Sequence, residues 1–133
     1  MESQWFEDNE ANWDDRAELH MAGGYSGINE LIEDKSAISP ELAQDIDRFG
    51  DLHGKNVIHL QCHLGTDTIG FARTGAKRVV GVDLSETSLS HARHIASKAG
   101  ADVEYIRANV YDARTDVEGD FDVVYTSLGV LCW

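Results

Sequence analysis

Four short apolar runs separate helix-like patterns between residue 54 and the end of the chain. They cover residues 57–60, 79–82, 103–106 and 121–125, and they are rich in β-branched and aromatic residues. Such runs, bounded by turn residues, predict four strands. Strands that alternate with helices favour a parallel sheet with right-handed crossovers. The pattern therefore predicts an α/β fold with a doubly wound, mainly parallel sheet.

Two helices are expected between the first three strands. The first begins near Thr66 and Asp67, either of which is a plausible N-cap, and it stops at Gly75. The second has Ser85 as its N-cap and Gly100 as its stop. Its buried side is expected to consist of Leu89, Ala92, Ile95, Ala96 and Ala99. The acidic stretch before the fourth strand has little apolar content, so we expect a loop or a frayed helix there.

The first 53 residues are predicted to form a helical cap segment. A helix is expected over residues 9–21, ended by Gly23 and Gly24. Its face at positions i, i+3 and i+7 carries Trp13, Arg16 and His20. A second helix is expected over residues 39–49, with Ser39 as N-cap and an apolar stripe formed by Leu42, Ile46 and Phe49. We therefore divide the chain into a cap segment, 1–53, and a sheet domain, 54–133.

The charge of the chain is strongly negative and unevenly distributed. The formal net charge is −13, and residues 1–53 hold 14 acidic against 3 basic side chains. Such a surface repels phosphate backbones and anionic lipid, so neither a nucleic-acid partner nor a membrane is expected. The two cysteines form no disulfide framework, no leader opens the chain, and no apolar run approaches the ~20 residues that span a bilayer. We expect a cytoplasmic protein.

The residues that suggest chemistry lie where the first two strands end. The first strand runs into the turn 61–65, which reads Gln-Cys-His-Leu-Gly, and the second delivers Asp83. In parallel sheets of this kind, ligands bind beyond the carboxyl ends of the strands, against backbone N–H groups at a helix start. Asp83 follows Gly65 by 18 residues, close to the ~20 at which dinucleotide-binding folds place a ribose-binding acid. The spacing predicts a nucleotide site.

Residues 56–85 resemble the front half of a class I S-adenosylmethionine-dependent methyltransferase. The segment 60–68, LQCHLGTDT, is similar to a variant of the first motif of that superfamily, LQCHxGxDT. The usual loop is an acid, a hydrophobic residue and Gly-x-Gly-x-Gly. Here His59 stands in the place of the acid, and Gln61 and His63 replace two of the glycines, so that only Gly65 remains.

The resemblance continues in register along the chain. Residues 83–85, Asp-Leu-Ser, match the acidic second motif, 108–113 resemble the segment at the adenine edge, and 121–126 resemble the fourth strand. It implies a Rossmann-like fold and S-adenosylmethionine as the cofactor. The cofactor-binding residues that it implies are Gln61, Cys62, His63, Gly65, Thr66, Asp67, Asp83, Leu84, Ser85, Asn109, Val110 and Thr126.

The resemblance also assigns roles within this set. Asp83 would hold the ribose hydroxyls, and the turn around Gly65 would wrap the amino-acid end of the cofactor. Asn109 would bond the adenine amino group while Val110 packs on the ring, and Thr126 would lie near the reacting groups. Simpler interpretations remain open: a helix cap for Asp83, a turn glycine for Gly65, a first-turn acid for Asp67 and a polar loop residue for Asn109.

The implied activity is methyl transfer to an unidentified, small-molecule acceptor, with no dedicated catalytic residue assigned. N-terminal segments in the superfamily fold over the cofactor, which makes Trp13, Arg16 and Tyr25 candidates for a lid. These side chains alternatively pack the segment onto the domain. The superfamily has seven strands and this chain four, so we expect a fold truncated after the fourth strand, with the C-terminal half of the same domain as its missing partner.

Other functions were weighed against this one. A nicotinamide-dependent oxidoreductase would also use an acid at position 83, but it requires bare backbone where Gln61 and His63 stand. A non-catalytic fragment that binds cofactor or a partner is a further alternative. His59, Cys62 and His63 do not follow a known zinc spacing, so no metal is expected. A phosphate loop is excluded because Phe71 stands where lysine is required.

Overall fold

The computed structural model describes residues 2–24 and 27–127. Its strands are β1 (Asn56–Leu60), β2 (Arg78–Asp83), β3 (Glu104–Arg107) and β4 (Val123–Tyr125). Its α-helices are α1 (Glu2–Leu19), α2 (Ile28–Glu33), α3 (Pro40–Ala43), α4 (Thr66–Ala72), α5 (Glu86–Ala99) and α6 (Ala113–Asp116). Two 3₁₀ turns cover Ile46–Phe49 and Val110–Asp112, and a distorted turn, His20–Gly24, follows α1.

The four strands form one parallel sheet in the order β3-β2-β1-β4. The chain builds outward from β1 through β2 to β3 and then returns to add β4 on the other side. The strand order therefore reverses at β1, and all four carboxyl ends meet at one edge of the sheet. The predicted α/β, doubly wound and parallel architecture is confirmed.

Each face of the sheet is covered by a different set of apolar side chains. Val57, Val79 and Tyr125 pack with Phe71 of α4 and Leu42 of α3. On the same side, α4 and α5 bury a second cluster, which includes Leu64, Ile69, Leu89, Ala92, Ile95 and Tyr105. The opposite face is formed by Ile58, Val80 and Val82, with Ala108 and Val117 over them. The central strands β1 and β2 are thus buried on both sides, as strands of parallel sheets usually are, while Val124 of the edge strand β4 is exposed.

The ends of α5 agree with the predicted caps, and those of α4 do not. Ser85 caps α5, since its Oγ accepts a hydrogen bond from the amide of Ser88, and Gly100 ends that helix in the left-handed region with φ +67°. In α4 the N-cap is Gly65, not Thr66 or Asp67, and the helix ends at Ala72. The predicted bounds of α4 were therefore wrong: the helix starts one residue after the left-handed Gly65, with no side-chain cap, and ends three residues before Gly75.

The N-terminal segment is helical, with two departures from the predicted boundaries. α1 begins at Glu2, seven residues before the predicted start. The helix expected over residues 39–49 begins at Pro40 with Ser39 as N-cap but breaks after Ala43. There the amide of Asp45 bonds back only three residues, to Leu42, and a 3₁₀ turn carries the chain to Phe49. The acidic stretch, for which a loop or a frayed helix was predicted, holds the short helix α6.

The cap segment packs on the sheet domain. Both α1 and α2 lie against α5, and α3 lies against α4. The boundary between residues 53 and 54 stays a prediction. Across residues 2–24 and 27–127, no helix has the length and apolar character that crossing a membrane requires.

Candidate functional site

The turn after β1 has an unusual backbone at every second residue. Gln61, His63 and Gly65 have φ angles of +56°, +53° and +72°. These are the three places where the resembling family has glycine, so the left-handed backbone is kept although two glycines are replaced. A non-glycine residue in this region costs about 1–2 kcal/mol. Two such residues, separated by one position at the carboxyl end of a central strand, indicate that the conformation of this turn serves a function in addition to packing.

The Asp83 carboxylate lies against this turn. It is 9% exposed, and its Oδ2 accepts a hydrogen bond of 2.8 Å from the backbone amide of His63. Its Oδ1 accepts one of 2.9 Å from the amide of Ser85. Burial raises the pKa of Asp83 and nearby Asp14 adds to this, while the amide hydrogen bonds act in the opposite direction. Because a carboxylate offers about four acceptor positions, it keeps capacity for further donors.

Main-chain hydrogen bonds fix the turn to β2, and they fix the end of β2 to the segment after β3. The amide of Cys62 donates to the carbonyl oxygen of Val82 over 2.9 Å, and the amide of Gly65 donates to that of Cys62 over 2.9 Å. The amide of Ala108 donates to the carbonyl oxygen of Asp83 over 3.0 Å. The ends of β1, β2 and β3 therefore form one rigid edge.

The ring of His63 is held by a residue of α5 and by a residue of the turn after α1. Its Nδ1 shares a hydrogen bond of 3.0 Å with Oγ of Ser88 on α5, and its Nε2 shares one of 2.7 Å with Nδ1 of His20. The Trp13 ring lies 5.0 Å from the imidazole, in an edge-on arrangement. Burial lowers the pKa of His63 to about 4, with His20 and Arg16 adding to the effect, so the ring is neutral at pH 7.

The helix α1 and the turn after it cross the carboxyl edge of the sheet from β3 to β1. Glu10 is paired with Arg107, the last residue of β3. Asp14 accepts a hydrogen bond from Oγ of Ser85, just after β2. His20 reaches His63, just after β1. The N-terminal segment thus covers the edge at which the sequence predicts the ligand.

Ser85 and Leu84 both make hydrogen bonds at the carboxyl edge of the sheet, Ser85 through its side chain and Leu84 through its backbone carbonyl. Oγ of Ser85 accepts a hydrogen bond of 3.0 Å from the amide of Ser88 and donates to Asp14. Leu84 is half-buried, and its carbonyl oxygen accepts a hydrogen bond of 3.2 Å from Nε of Arg107. Both residues lie beside Asp83, as predicted from the motif, and their contact with a cofactor stays a prediction.

Asn109 and Val110 follow β3 at the same edge. The side-chain oxygen of Asn109 accepts a hydrogen bond of 3.1 Å from the amide of Tyr111, so this oxygen caps a 3₁₀ turn. Val110 is half-buried, and the exposed ring of Tyr111 lies 5.9 Å from that of Phe6 on α1. If Asn109 accepts a hydrogen bond from the adenine amino group, as predicted, the same side-chain oxygen must also accept the hydrogen bond from the amide of Tyr111.

Thr66 and Asp67 are buried in the first turn of α4. The carboxylate of Asp67 accepts a short hydrogen bond from Oγ of Ser39, which ties α4 to the start of α3. Burial raises the pKa of Asp67, the Ser39 hydrogen bond opposes this, and nearby Glu41 and Asp45 add to the rise. Among the residues that the sequence predicted, Asp67 therefore has a helix-packing partner of its own, and its cofactor contact stays a prediction.

Thr126 and Cys62 have different surroundings, since the first is exposed and the second is buried in the core beside the turn. Thr126 is exposed and follows β4. The thiol of Cys62 is buried in the core cluster with Leu64 and Tyr105, and burial raises its pKa well above the usual range. A thiol with a raised pKa is a poor nucleophile.

His59 and His63, two of the side chains considered for a metal site, have different partners. His59 is buried, and its Nδ1 shares a hydrogen bond of 2.8 Å with Oγ1 of Thr68, on the side of Tyr125. His63 points to α1 and α5 instead. Over the part of the chain that the structure describes, no three His, Cys, Asp or Glu side chains are grouped so as to hold a metal ion.

Sequence reasoning missed the acidic residues of α1 and Ser88. Glu10, Asp14 and Glu18 repeat every four residues, which places three carboxylates on one helical face, and such a face usually lies in solvent. Here each carboxylate contacts the sheet domain, Glu18 through His91 on α5 over 2.7 Å. Of the three lid candidates, Trp13 and Arg16 lie over the turn, whereas Tyr25 lies outside the described residues.

Comparison with known proteins identifies a family for the sheet domain. The family model described as a methyltransferase domain matches residues 57–133. The chain is similar to a ubiquinone biosynthesis O-methyltransferase from Neisseria meningitidis serogroup C (strain 053442), at 40% identity over 88 residues, or 65% of this chain and 37% of that protein. A protein of the same description from Aromatoleum aromaticum is 36% identical over 87 residues, 65% of this chain and 37% of the relative. The matches thus cover little more than a third of these relatives.

Solved structures show the same similarity. A chain from work on the conversion of a disulfide bond into a thioacetal group during echinomycin biosynthesis superimposes with a TM-score of 0.57 at 30% identity, over 70% of this chain and 38% of that one. The magnesium protoporphyrin IX methyltransferase from Synechocystis PCC 6803 with bound SAH gives a TM-score of 0.53 at 25% identity, over 64% of this chain and 37% of that one.

Proposed function

Since this chain belongs to the class I S-adenosylmethionine-dependent methyltransferases, we propose that its carboxyl sheet edge binds S-adenosylmethionine and that the protein methylates a small-molecule acceptor. The observation that supports this most is the hydrogen bond between the amide of His63 and the Asp83 carboxylate. It joins the turn and the acid that together would enclose an adenosyl ligand.

The residues at this edge fit such a cofactor. Asp83 has its carboxylate fixed by two amides and retains acceptor positions for the two ribose hydroxyls. The left-handed backbone at Gln61, His63 and Gly65 folds the turn into the shape that the family builds from glycine. Asn109 and Val110 stand at the end of β3, where the adenine edge would lie. These residues would hold the cofactor, with Thr66 and Thr126 at the periphery.

The protein would contribute to catalysis mainly by positioning the methyl donor and the acceptor. When bound, S-adenosylmethionine supplies a methyl group on a sulfonium, which is already an activated leaving group. The rigid edge formed by β1, β2 and β3 fixes the donor, and α1 limits the access of water from above. Holding donor and acceptor in line lowers the barrier without a dedicated catalytic side chain. Cys62 is buried with a raised pKa, so it does not serve as a nucleophile.

For the acceptor, we propose a small molecule that carries a hydroxyl group. The similarity to a ubiquinone biosynthesis O-methyltransferase supports an oxygen nucleophile, although the match covers 37% of that relative. The net charge of −13 disfavours nucleic-acid acceptors. Activity of the 133-residue chain is part of this proposal.

The test is calorimetric titration of the full chain with S-adenosylhomocysteine and, separately, with NAD. We expect S-adenosylhomocysteine to bind more tightly. Asp83→Asn should weaken its binding by about 10- to 100-fold, because a charged acceptor for two hydroxyls is lost. Asp102→Asn is the control, since this exposed acid precedes β3, at the amino edge of the sheet, and should leave the affinity unchanged.

Two results would contradict the proposal. One is tighter binding of NAD than of S-adenosylhomocysteine. The other is an Asp83→Asn variant that is folded and has unchanged affinity. Methyl transfer itself is tested by incubating the full chain with S-adenosylmethionine and a panel of hydroxylated small molecules, with mass detection of the methylated product.

A further inference from the structure

His63 has a backbone conformation that is unfavourable for a residue with a side chain, and both nitrogens of its ring take part in hydrogen bonds. Its φ of +53° lies in the left-handed region, where a side chain costs about 1–2 kcal/mol relative to an ordinary conformation. Its ring nitrogens contact Ser88 on α5 and His20 after α1. The ring contacts therefore offset the backbone cost, and they hold the peptide of residue 63 in one orientation.

That same peptide orients the Asp83 carboxylate. The amide of His63 donates to Oδ2 over 2.8 Å, while Oδ1 is held by the amide of Ser85. A rotation of the residue 63 peptide would remove one of the two bonds that define the plane of the carboxylate. The position of His63 thus decides where the carboxylate presents its remaining acceptor positions.

We propose that His20 is a positioning residue for the cofactor: through the ring of His63 it holds the peptide that orients Asp83, and it thereby couples the docking of α1 to cofactor affinity. This inference rests on the proposed function, because it takes the ligand of Asp83 to be the adenosyl cofactor. It goes beyond that function, because it assigns to the N-terminal segment a specific contact that acts on the ribose-binding acid.

The surrounding charges suit a hydrogen bond between two neutral rings. Arg16 lies over Trp13 with its guanidinium carbon 5.4 Å from the ring centroid. Burial, followed by Arg16, lowers the pKa of His20, and burial is also the main cause of the lowered pKa of His63. Charged groups on the elements packed around this pair include Arg16 and Asp14 of α1, Asp83 of β2, and Glu18 of α1, which shares a hydrogen bond with His91 of α5. When both rings are neutral, the N–H of one ring donates to the unprotonated nitrogen of the other, and the contact is attractive at neutral pH.

The experiment is a double-mutant cycle read by calorimetry with S-adenosylhomocysteine on the full chain. His20→Ala should weaken binding by about 5- to 10-fold. His20→Asn should restore most of the affinity, because the Asn amide can occupy the place of Nδ1. In a His63→Gly background, where glycine adopts the turn without a ring, His20→Ala should change the affinity less than about twofold, because the coupled side chain is absent.

The matched control is Glu18→Gln. Glu18 also ties α1 to the domain, through His91, but it does not touch His63. We expect a change in affinity below about twofold. A loss equal to that of His20→Ala would show that any weakening of α1 docking has this effect, and it would overturn the proposal.

The remaining outcomes separate this inference from the proposed function. If the wild-type chain binds S-adenosylhomocysteine and His20→Ala binds equally well, the inference is wrong while the function stands. If the loss persists in the His63→Gly background, the inference is also wrong. If the wild-type chain does not bind S-adenosylhomocysteine, the proposed function fails and the inference with it. Ser88→Ala, which removes the other partner of the His63 ring, gives the same test from α5 should His20→Ala not fold.

Discussion

Tyr105 of β3 lies directly beneath Gly65 of the turn. Its hydroxyl donates a hydrogen bond of 3.4 Å to the carbonyl oxygen of Gly65. A Cβ built on Gly65 would lie 2.8 Å from Cζ and 2.9 Å from Cε1 of the buried phenol. The glycine is therefore required by contact with the core as well as by its backbone conformation, independently of any ligand.

Gly65→Ala should consequently destabilise the fold. The added methyl group meets the phenol of Tyr105, and the φ of +72° is unfavourable for alanine. We expect a loss of about 2–4 kcal/mol in the free energy of unfolding, from overpacking and backbone strain together. Urea denaturation followed by circular dichroism measures it.

Tyr105→Phe tests whether the clash is the cause. Removing the hydroxyl alone should cost about 1 kcal/mol or less, because the 3.4 Å hydrogen bond is long. Combined with Gly65→Ala, it should recover part of the loss, because the atom nearest to the new methyl group is gone. Strictly additive effects of the two substitutions would contradict this explanation.

Gln61→Gly should stabilise the protein. Gln61 has a φ of +56°, and glycine adopts this conformation without steric cost. The gain, reduced by the greater freedom of glycine in the unfolded chain, should be about 0.5–1 kcal/mol in the free energy of unfolding. Thermal and urea denaturation measure it. A loss of stability would show that the Gln61 side chain makes contacts that outweigh the backbone strain.

Arg73 connects the cap segment to the helices of the sheet domain. Its guanidinium donates hydrogen bonds of 2.5–3.4 Å to the carbonyl oxygens of Leu31, Asp34, Ala37 and Ala99. Arg73→Ala would leave these carbonyls without the cation, and we expect a loss of about 2–4 kcal/mol. Arg73→Lys should lose about 1–2 kcal/mol, because an ammonium lacks the planar fork. Hydrogen exchange should rise in residues 28–37.

Arg48→Ala is the matched control for Arg73. Arg48 is largely exposed and pairs with Asp45 over 3.5 Å. Its removal should change the free energy of unfolding by less than about 0.5 kcal/mol. Equal losses at positions 48 and 73 would argue against the specific role of the Arg73 hydrogen bonds.

His59 should make stability depend on pH. Burial lowers its pKa from 6.5 to about 3, so between these values the unfolded chain binds a proton that the folded chain does not. The stability that neutral His59 contributes is complete above pH 6.5 and is lost as the pH falls toward 3. Relative to His59→Asn, the wild type should lose about 1 kcal/mol per pH unit in this window.

The comparison with His59→Asn is needed because other groups titrate nearby. The pKa of His63 is also lowered, which acts in the same direction as His59. Burial raises the pKa values of Asp67 and Asp83, so these acids favour the folded chain as the pH falls. Asn can keep the bond to Thr68 and does not ionise. A difference in unfolding free energy that is flat from pH 3 to 6.5 would contradict the prediction.

Much of the fold could be predicted because it depends on local patterns. The four strands and α5 follow from apolar runs and from the caps Ser85 and Gly100. The early start of α1 could not be predicted, because residues 2–8 carry no apolar period and the helix is held by contacts such as Glu10 with Arg107. The apolar stripe of residues 42–49 was interpreted as one helix, whereas the chain tightens into a 3₁₀ turn that still packs Ile46 and Phe49, partly buried, against the core.

The closeness of Asp83 to the turn was predictable, and the partners of the neighbouring side chains were not. The carboxyl ends of neighbouring parallel strands meet at one edge, so the closeness of Asp83 to the turn follows from the strand pattern. The partners of Asp67 and His63 depend on where α3, α1 and α5 pack, and no local pattern in the chain specifies that. For the same reason, the contacts that the acids of α1 make with the sheet domain could not be predicted.

The pairing of Glu10 with Arg107 joins residues 97 positions apart. During synthesis the ribosome therefore releases α1 long before the strand that it will meet. Contacts of such separation form late, since a long loop must close first. The N-terminal helix is therefore synthesised before the sheet on which it packs is complete. The carboxyl edge of the sheet stays uncovered until contacts such as Glu10 with Arg107 form.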